Sequence, residues 1–277
     1  MVEIAAMTTT PLLEMREMVK CFGAIKALDG VVLEIMPCEV HALIGENGAG
    51  KSTLMKLLSG AIQPDSGEMR LNGSRYRPQN PLDARRQGVA MIYQELNLAP
   101  QLTVEENITL GRESHLFGAV LKKKMRQQIQ EALFALDYPN LDLMQRVERL
   151  GPGDRQLVEI ARAIVAEARI VVMDEPTSSL SREDAERLFE VIRKLSARGV
   201  SIIYISHFLE EVKRVADRYT VLRDGRAVAA GTVAVPKNIH HNFDRIIYHG
   251  VNRSVWSCEV HRMGDVVFIL SRKRALD

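Results

Sequence analysis

The chain is poor in several residue types, and each shortage excludes something. It has three cysteines, Cys21, Cys38 and Cys258, in 277 residues. An odd number without metal-ligand spacing excludes a disulfide framework or a zinc ribbon and fits a reducing compartment. Aromatic residues make up 5% with one tryptophan, too few for a platform on which bases stack. The formal net charge is +2, without the basic excess of a dedicated nucleic-acid binder, so no nucleic-acid partner is expected. No apolar run approaches the roughly 18 residues of a membrane span. Residues 1–10 carry Glu3 and no basic n-region, and read as a loose leader rather than a secretory signal. No repeat of solenoid length is visible. What is present is a 46% hydrophobic content, enough to build a sizeable core.

The most specific run is Gly45-Glu46-Asn47-Gly48-Ala49-Gly50-Lys51-Ser52-Thr53. The pattern G-x-x-x-x-G-K-[S/T] is a phosphate-binding loop. Its glycines let backbone N–H groups curl around a phosphate, Lys51 supplies a cation for the β- and γ-phosphates, and Ser52 offers a hydroxyl to Mg²⁺. Val40–Ile44 before it reads as a strand and Thr53–Leu58 after it as a helix, which aims a helix N-terminus at an anion.

The rest of the chain supports an α/β reading. Glu68–Leu71, between Asp65-Ser66-Gly67 and Asn72-Gly73, reads as hairpin strand; Pro81–Gln87 as a short helix; and Val89–Tyr93 as a strand. From about Thr103 to Ala168 the pattern is helical, with a long helix over Leu121–Leu136 that starts at Lys122-Lys123-Lys124 and another over Asp154–Ala168. Ile170–Met173 and Ser201–Ile205 are continuous apolar strands, as in a parallel sheet covered on both faces, with an amphipathic helix over Arg182–Arg198 between them. Val221–Val228 reads as a hairpin around Asp224-Gly225.

Three strand ends carry further chemistry. Asp174 and Glu175 follow the Ile170 strand: Asp174 is placed to hold Mg²⁺, and Glu175 to polarise an attacking water. His207 ends the Ser201 strand, where its alternatives are a γ-phosphate contact and a structural histidine. Gln94 follows the Val89 strand at the entry to the helical segment, placed to sense Mg²⁺ and move that segment. His240, His241, His249 and His261 lie in a weakly patterned tail, where chance is the simpler account than a metal site.

The order of these motifs resembles the nucleotide-binding subunits of ABC transporters over about Leu12–Val255. Gly45–Thr53 matches the Walker A motif, Gln94 the Q-loop, Leu150–Gln156 the signature region, Met173–Thr177 Walker B, Ser178–Ser181 the D-loop and His207 the H-loop. Phe22 matches the aromatic that stacks on adenine; by itself it would read as an ordinary core aromatic. Runs such as Ile92–Leu96, Glu175–Leu180 and Tyr204–His207, together with Asp244–Ile247 and Gly250–Arg253, look like the carbohydrate-uptake branch serving ribose, xylose, arabinose, allose or autoinducer sugars.

The resemblance implies a P-loop NTPase core with a mostly parallel sheet, an antiparallel β subdomain and an inserted helical subdomain over residues 95–168, within a domain spanning 12–255. It implies ATP and Mg²⁺ as cofactors. ATP would be held by Phe22, Gly45, Glu46, Asn47, Gly48, Ala49, Gly50, Lys51, Ser52, Thr53 and Gln94, the metal by Ser52, Gln94 and Asp174, with Lys51, Glu175 and His207 catalytic. The implied partners are a second nucleotide-binding domain, as homo- or heterodimer, membrane permease subunits, and indirectly a periplasmic or extracellular solute-binding protein. The implied location is the cytoplasmic face of the membrane.

Two departures stand out. The usual L-S-G-G-Q reads Leu150-Gly151-Pro152-Gly153-Asp154, so the serine hydroxyl that would meet a partner's γ-phosphate is missing and Pro152 lacks an N–H. Members of the sugar branch also carry two such domains in tandem, whereas this chain has one Walker A motif. Residues 256–277 form a tail in which Gly264–Leu270 resembles the first strand of another domain. These departures leave two readings: an ATPase subunit that energises sugar import, or a nucleotide-binding half with impaired or no hydrolysis. A soluble ABC ATPase of translation or chromosome maintenance is disfavoured by near-neutral charge and the lack of long heptads between Lys51 and Asp174.

Overall fold

A computed structural model describes residues 10–111, 115–116, 119–120, 122–233, 256–263 and 266–273. In chain order the elements are β1 (Leu13–Phe22), β2 (Ile25–Ile35), β3 (Val40–Ile44), α1 (Lys51–Leu58), β4 (Ser66–Leu71), β5 (Ser74–Arg75), α2 (Pro81–Arg86), β6 (Val89–Ile92) and α3 (Val104–Thr109). They continue with β7 (His115–Leu116), β8 (Ala119–Val120), α4 (Lys122–Ala135), α5 (Pro152–Val165), β9 (Ile170–Asp174), α6 (Arg182–Ala197), β10 (Ser201–Ile205), α7 (Leu209–Val215), β11 (Arg218–Arg223), β12 (Arg226–Thr232), β13 (Trp256–Met263) and β14 (Val266–Lys273).

The central sheet has the order β12-β11-β3-β10-β9-β6. The neighbours from β11 to β6 run parallel, and β12 closes one edge antiparallel to β11. Side chains alternate between its faces, and each face has its own core. Ala90, Ile92, Val171, Met173, Ile202 and Tyr204 pack with the apolar faces of α3, α4, α5 and α6. Val89, Ile170, Val172, Ile203 and Ile205 pack with α1 and with the second sheet, β2-β1-β4-β5. This double covering is why the strands read as unbroken apolar runs rather than alternating ones.

The hairpin turns follow their sequences. Asn72 and Gly73 (φ 51° and 72°) join β4 to β5, and Asp224 and Gly225 (φ 49° and 73°) join β11 to β12. Two left-handed residues in succession match the twist of the flanking strands, and Asn-Gly and Asp-Gly reach that conformation at least cost. The helical region is more broken than its sequence pattern predicts. Among the described residues it consists of α3, α4 and α5, a 3₁₀ turn at Val147–Arg149 and, against the helical expectation, the short antiparallel pair β7–β8; α5 packs on α3, α4 and α6. α5 begins at Pro152, two residues before the expected Asp154, because proline's missing N–H costs nothing at a first helical position.

The chain divides into two compact units, Met1–Val233 and Ala234–Asp277. In the second, β13 and β14 pair antiparallel, with Met263 opposite Val266. The segments Asp244–Ile247 and Gly250–Arg253, and His240, His241 and His249, lie outside the described residues, as does the side chain of His261.

Candidate functional site

The Gly45–Thr53 loop is held by close backbone packing. β3 is buried along its length and delivers the chain to Gly45 at the sheet's carboxyl edge. A Cβ on Gly45 would lie 2.5 Å from the Leu222 carbonyl oxygen of β11, so only glycine passes there. Gly50 adopts φ 106°, and a Cβ on it would meet the Ala27 carbonyl oxygen at 2.8 Å and Leu28 Cδ2 at 2.9 Å. The second sheet therefore presses directly on the loop. α1 starts at Lys51 with no side-chain cap, which leaves its first N–H groups open to an anion. Lys51 Nζ turns back over the loop and donates to the carbonyls of Gly45 at 2.6 Å and Glu46 at 3.1 Å.

The parallel register brings the other strand ends to the same edge. Ile205 of β10 lies beside Asp174 of β9, and Ile92 of β6 lies beside Met173. The result is one open cleft of about 310 Å³, lined by Glu46, Asn47, Gly48, Gly50, Lys51, Ser52, Thr53, Gln94, Asp174 and Glu175, with Ala27 of β2 on its wall. Gly45 and Ala49 shape the loop from behind, Ala49 being buried in the core. His207 is not in the lining but reaches it through Glu175, whose Oε1 lies 3.0 Å from His207 Nδ1. Phe22 stands apart at the end of β1, exposed, with Lys20 Nζ 5.7 Å from its ring centre.

The cleft's charges are mutually dependent. Burial pushes the Lys51 ammonium below its ordinary value, while Glu175 and Asp174 pull it back up. Burial and then the neighbouring Glu175 charge push the Asp174 carboxyl up, against the attraction of Lys51. A ligand bringing both negative charge for Lys51 and a cation for Asp174 would relieve both groups. Glu175 sits at φ 44°, a left-handed conformation uncommon for a non-glycine residue, with its N–H bonded to the Ile205 carbonyl at 3.0 Å. Such strain persists where surrounding bonds over-determine it, and it clusters at functional sites.

No residue of the Leu150–Gln156 segment lines that cleft. Gly151 is the exposed N-cap of α5, at φ −66° and ψ 165°, with no side-chain cap. Tyr138 OH donates to Asp154 Oδ1 at 2.7 Å, so the residue in the usual glutamine position is tied to the loop after α4. A second groove, of about 260 Å³, runs between α2, β6 and α5, where Leu82, Arg85, Met91, Tyr93, Asn97, Glu159 and Arg162 face one another. Arg162 donates to the Asn97 carbonyl at 2.9 Å and to Glu159 at 3.3 Å, and burial pushes the Glu159 carboxyl up.

No motif in the sequence marks Glu211, yet it is bonded beside the cleft. Its carboxylate accepts from Thr177 Oγ1 at 2.7 Å, Tyr204 OH at 2.8 Å and Ser206 Oγ at 2.8 Å. In the sequence it is one of two acids in the first turn of α7, a pattern that a helix dipole alone explains.

Residues 28–178 match the family described as ABC transporter. The chain is 50% identical over 218 residues to the ribose import ATP-binding protein RbsA 1 of Rubrobacter xylanophilus, covering 79% of this chain and 44% of that protein. It is 40% identical over 260 residues to the ribose import ATP-binding protein RbsA of Bacillus subtilis, covering 92% of this chain and 52% of that protein. The chain thus spans about half the length of the curated relatives it matches. Among solved structures, a nucleotide-free ATP-binding cassette from an ABC transporter superposes with a TM-score of 0.75 at 25% identity, covering 88% of this chain and all of that one. The ADP conformation of another such cassette gives 0.75 at 27% identity, covering 87% of this chain.

Proposed function

The chain belongs to the ABC transporter family, and we propose that it binds ATP in the Gly45–Thr53 cleft and hydrolyses it to energise import of a sugar or sugar-like solute. The observation that carries this reading is one cleft lined together by the phosphate loop, Gln94, Asp174 and Glu175, with His207 bonded to Glu175. The names of the ribose import relatives support the solute class.

Lys51 moves from the Gly45 and Glu46 carbonyls onto the phosphates, and the open N–H groups at the start of α1 take the remaining oxygens. The donor set of Ser52 hydroxyl, Gln94 carboxamide and Asp174 carboxylate is all oxygen and fits a hard divalent cation. Mg²⁺ there would neutralise charge on the β- and γ-phosphates. Glu175 orients the attacking water and accepts its proton, with His207 held against it. Phe22, being exposed, is free to stack on the adenine.

A second nucleotide-binding domain would complete the site through its own signature loop. The groove beside Tyr93 and Asn97 is the surface we assign to a membrane permease subunit, because it adjoins the Gln94 loop. No described helix is long and apolar enough to cross a membrane, so attachment at the cytoplasmic face would run through that subunit, and a solute-binding protein would be reached only through the permease. The uncapped Gly151 favours a second reading, a nucleotide-binding half that hydrolyses slowly or not at all.

Binding of a fluorescent ATP analogue and phosphate release, measured in parallel, test the proposal. Lys51→Ala should abolish binding, while Glu175→Gln should bind ATP and cease to turn over. Tight binding without turnover by the unaltered chain in any assembly would favour the second reading. Undiminished turnover by Glu175→Gln would overturn the assigned chemistry.

A further inference from the structure

We propose that Glu211 is a positioning residue for hydrolysis: from α7 it ties the turn carrying Glu175 to the turn carrying His207 and thereby sets their contact. The inference rests on the ATPase reading of the cleft.

A carboxylate only accepts, so all three hydroxyls around Glu211 must aim their protons at it. The three come from opposite sides of the hydrolytic end of the cleft. Thr177 lies two residues after Glu175, in a turn closed by Ser178 N–H on the Glu175 carbonyl at 3.1 Å. Ser206 lies just before His207, and its Oγ also accepts from Phe208 N–H at 3.0 Å, so one hydroxyl braces the peptide on both sides of the histidine. Tyr204 is fully buried on β10 and anchors the carboxylate to the sheet. Glu211 thus bonds to neither Glu175 nor His207 but holds the chain next to each.

The strain at Glu175 makes this grip consequential. Its left-handed backbone is opposed by the ordinary preference of a side-chain-bearing residue, and the bonds that hold it are the Ile205 carbonyl on one side and the Thr177 turn on the other. Releasing the Thr177 hydroxyl leaves the turn held by its backbone bond from Ser178 without a side-chain anchor, so Glu175 drifts from His207. The nucleotide-holding groups, Lys51 through Thr53, lie on α1 and its loop and make no bond to Glu211. Loss of Glu211 therefore reaches turnover and leaves binding alone.

The test uses the full chain with ¹⁵N-labelled histidine and three variants. Glu211→Ala removes the acceptor; Glu211→Gln keeps the shape but turns one acceptor into a donor; Glu210→Ala, on an exposed neighbour, is the control. His207 imidazole signals are assigned by their loss in His207→Gln. In Glu211→Ala the His207 Nδ1 signal should move toward its position in Glu175→Gln, with the other histidines unmoved. Turnover should fall about tenfold or more, the scale of a misplaced reacting group, while affinity for a fluorescent ATP analogue stays within about twofold. Glu210→Ala should match the unaltered chain. If Glu211→Ala does not fold, Glu211→Gln carries the same readouts. An unmoved His207 signal, or equal loss of affinity and turnover, would overturn the role. If the unaltered chain binds no nucleotide, the ATPase reading fails, and the His207 signal still decides whether Glu211 holds that contact.

Discussion

Restoring a hydroxyl at Gly151 separates the architecture of the signature loop from its proposed chemistry. Gly151 has the extended backbone of an N-cap, φ −66° and ψ 165°, and a Cβ added there meets nothing within 4 Å. Serine therefore fits without strain. Pro152 has no N–H to give, so the serine oxygen would accept from Gly153 or Asp154, the second and third helical positions. Capping by serine in place of glycine contributes a few tenths of a kcal/mol. Removing a glycine from the unfolded chain at a compatible position contributes about 0.4–1 kcal/mol more. At about 2–4 °C per kcal/mol for a unit of this size, Tm should rise by about 2 °C in a calorimetric scan. The kinetic effect lies on another scale. A hydroxyl donating to a charged phosphate oxygen contributes about 1.5–3 kcal/mol, or roughly tenfold to a hundredfold in rate. Phosphate release by Gly151→Ser, assembled with a partner domain, should rise by that factor. A fall in Tm would refute the N-cap geometry. A raised Tm with an unchanged rate would refute the placement of Gly151 on a partner's phosphate.

Three further outcomes are expected. Asp174 is held above its ordinary value by burial and the Glu175 charge, so the folded state keeps its proton to higher pH than the unfolded chain does. Stability is therefore lost as pH rises from the unfolded carboxylate range near about 4, and Asp174→Asn should raise Tm at pH 7.5 by more than at pH 4; an equal change at both would sink the argument. Gly50→Ala forces a Cβ to within 2.8 Å of the Ala27 carbonyl oxygen at φ 106°, so urea unfolding should show a loss of about 1–3 kcal/mol, and wild-type stability would contradict the packing of β2 on the loop. Ile203→Ala, fully buried in the sheet, should cost about 2–5 kcal/mol, whereas Phe134→Ser, exposed on α4, should stay within about 0.5 kcal/mol; similar losses would mean that Phe134 is covered.

What the sequence disclosed and what it hid follow from the range over which each signal acts. Ile170–Met173 and Ser201–Ile205 were legible as strands because burial on both faces excludes charged residues from every position. The phosphate loop was legible because its glycines answer to local needs: Gly50 requires a left-handed backbone, and Gly45 lies against Leu222. The convergence of Lys51, Gln94, Asp174 and Glu175 was inferable once parallel strands were assumed, since parallel strands end at one edge. Hidden features depend on tertiary geometry, with partners from 2 to 179 residues away in the chain. Glu211 collects hydroxyls from Thr177, Tyr204 and Ser206, and serine, threonine and tyrosine are common residues with no spacing that announces a shared acceptor. His41 is the parallel case. It is buried between Glu39 and Thr220 Oγ1, the latter at 2.8 Å across 179 residues, yet it reads in sequence as an interruption of an apolar strand. His41 is buried and Glu211 half-buried by tertiary packing, and such polar groups must find partners wherever the fold puts them. A motif records what a ligand demands of a local backbone; the bonds that hold the motif in place are settled only by the strand order.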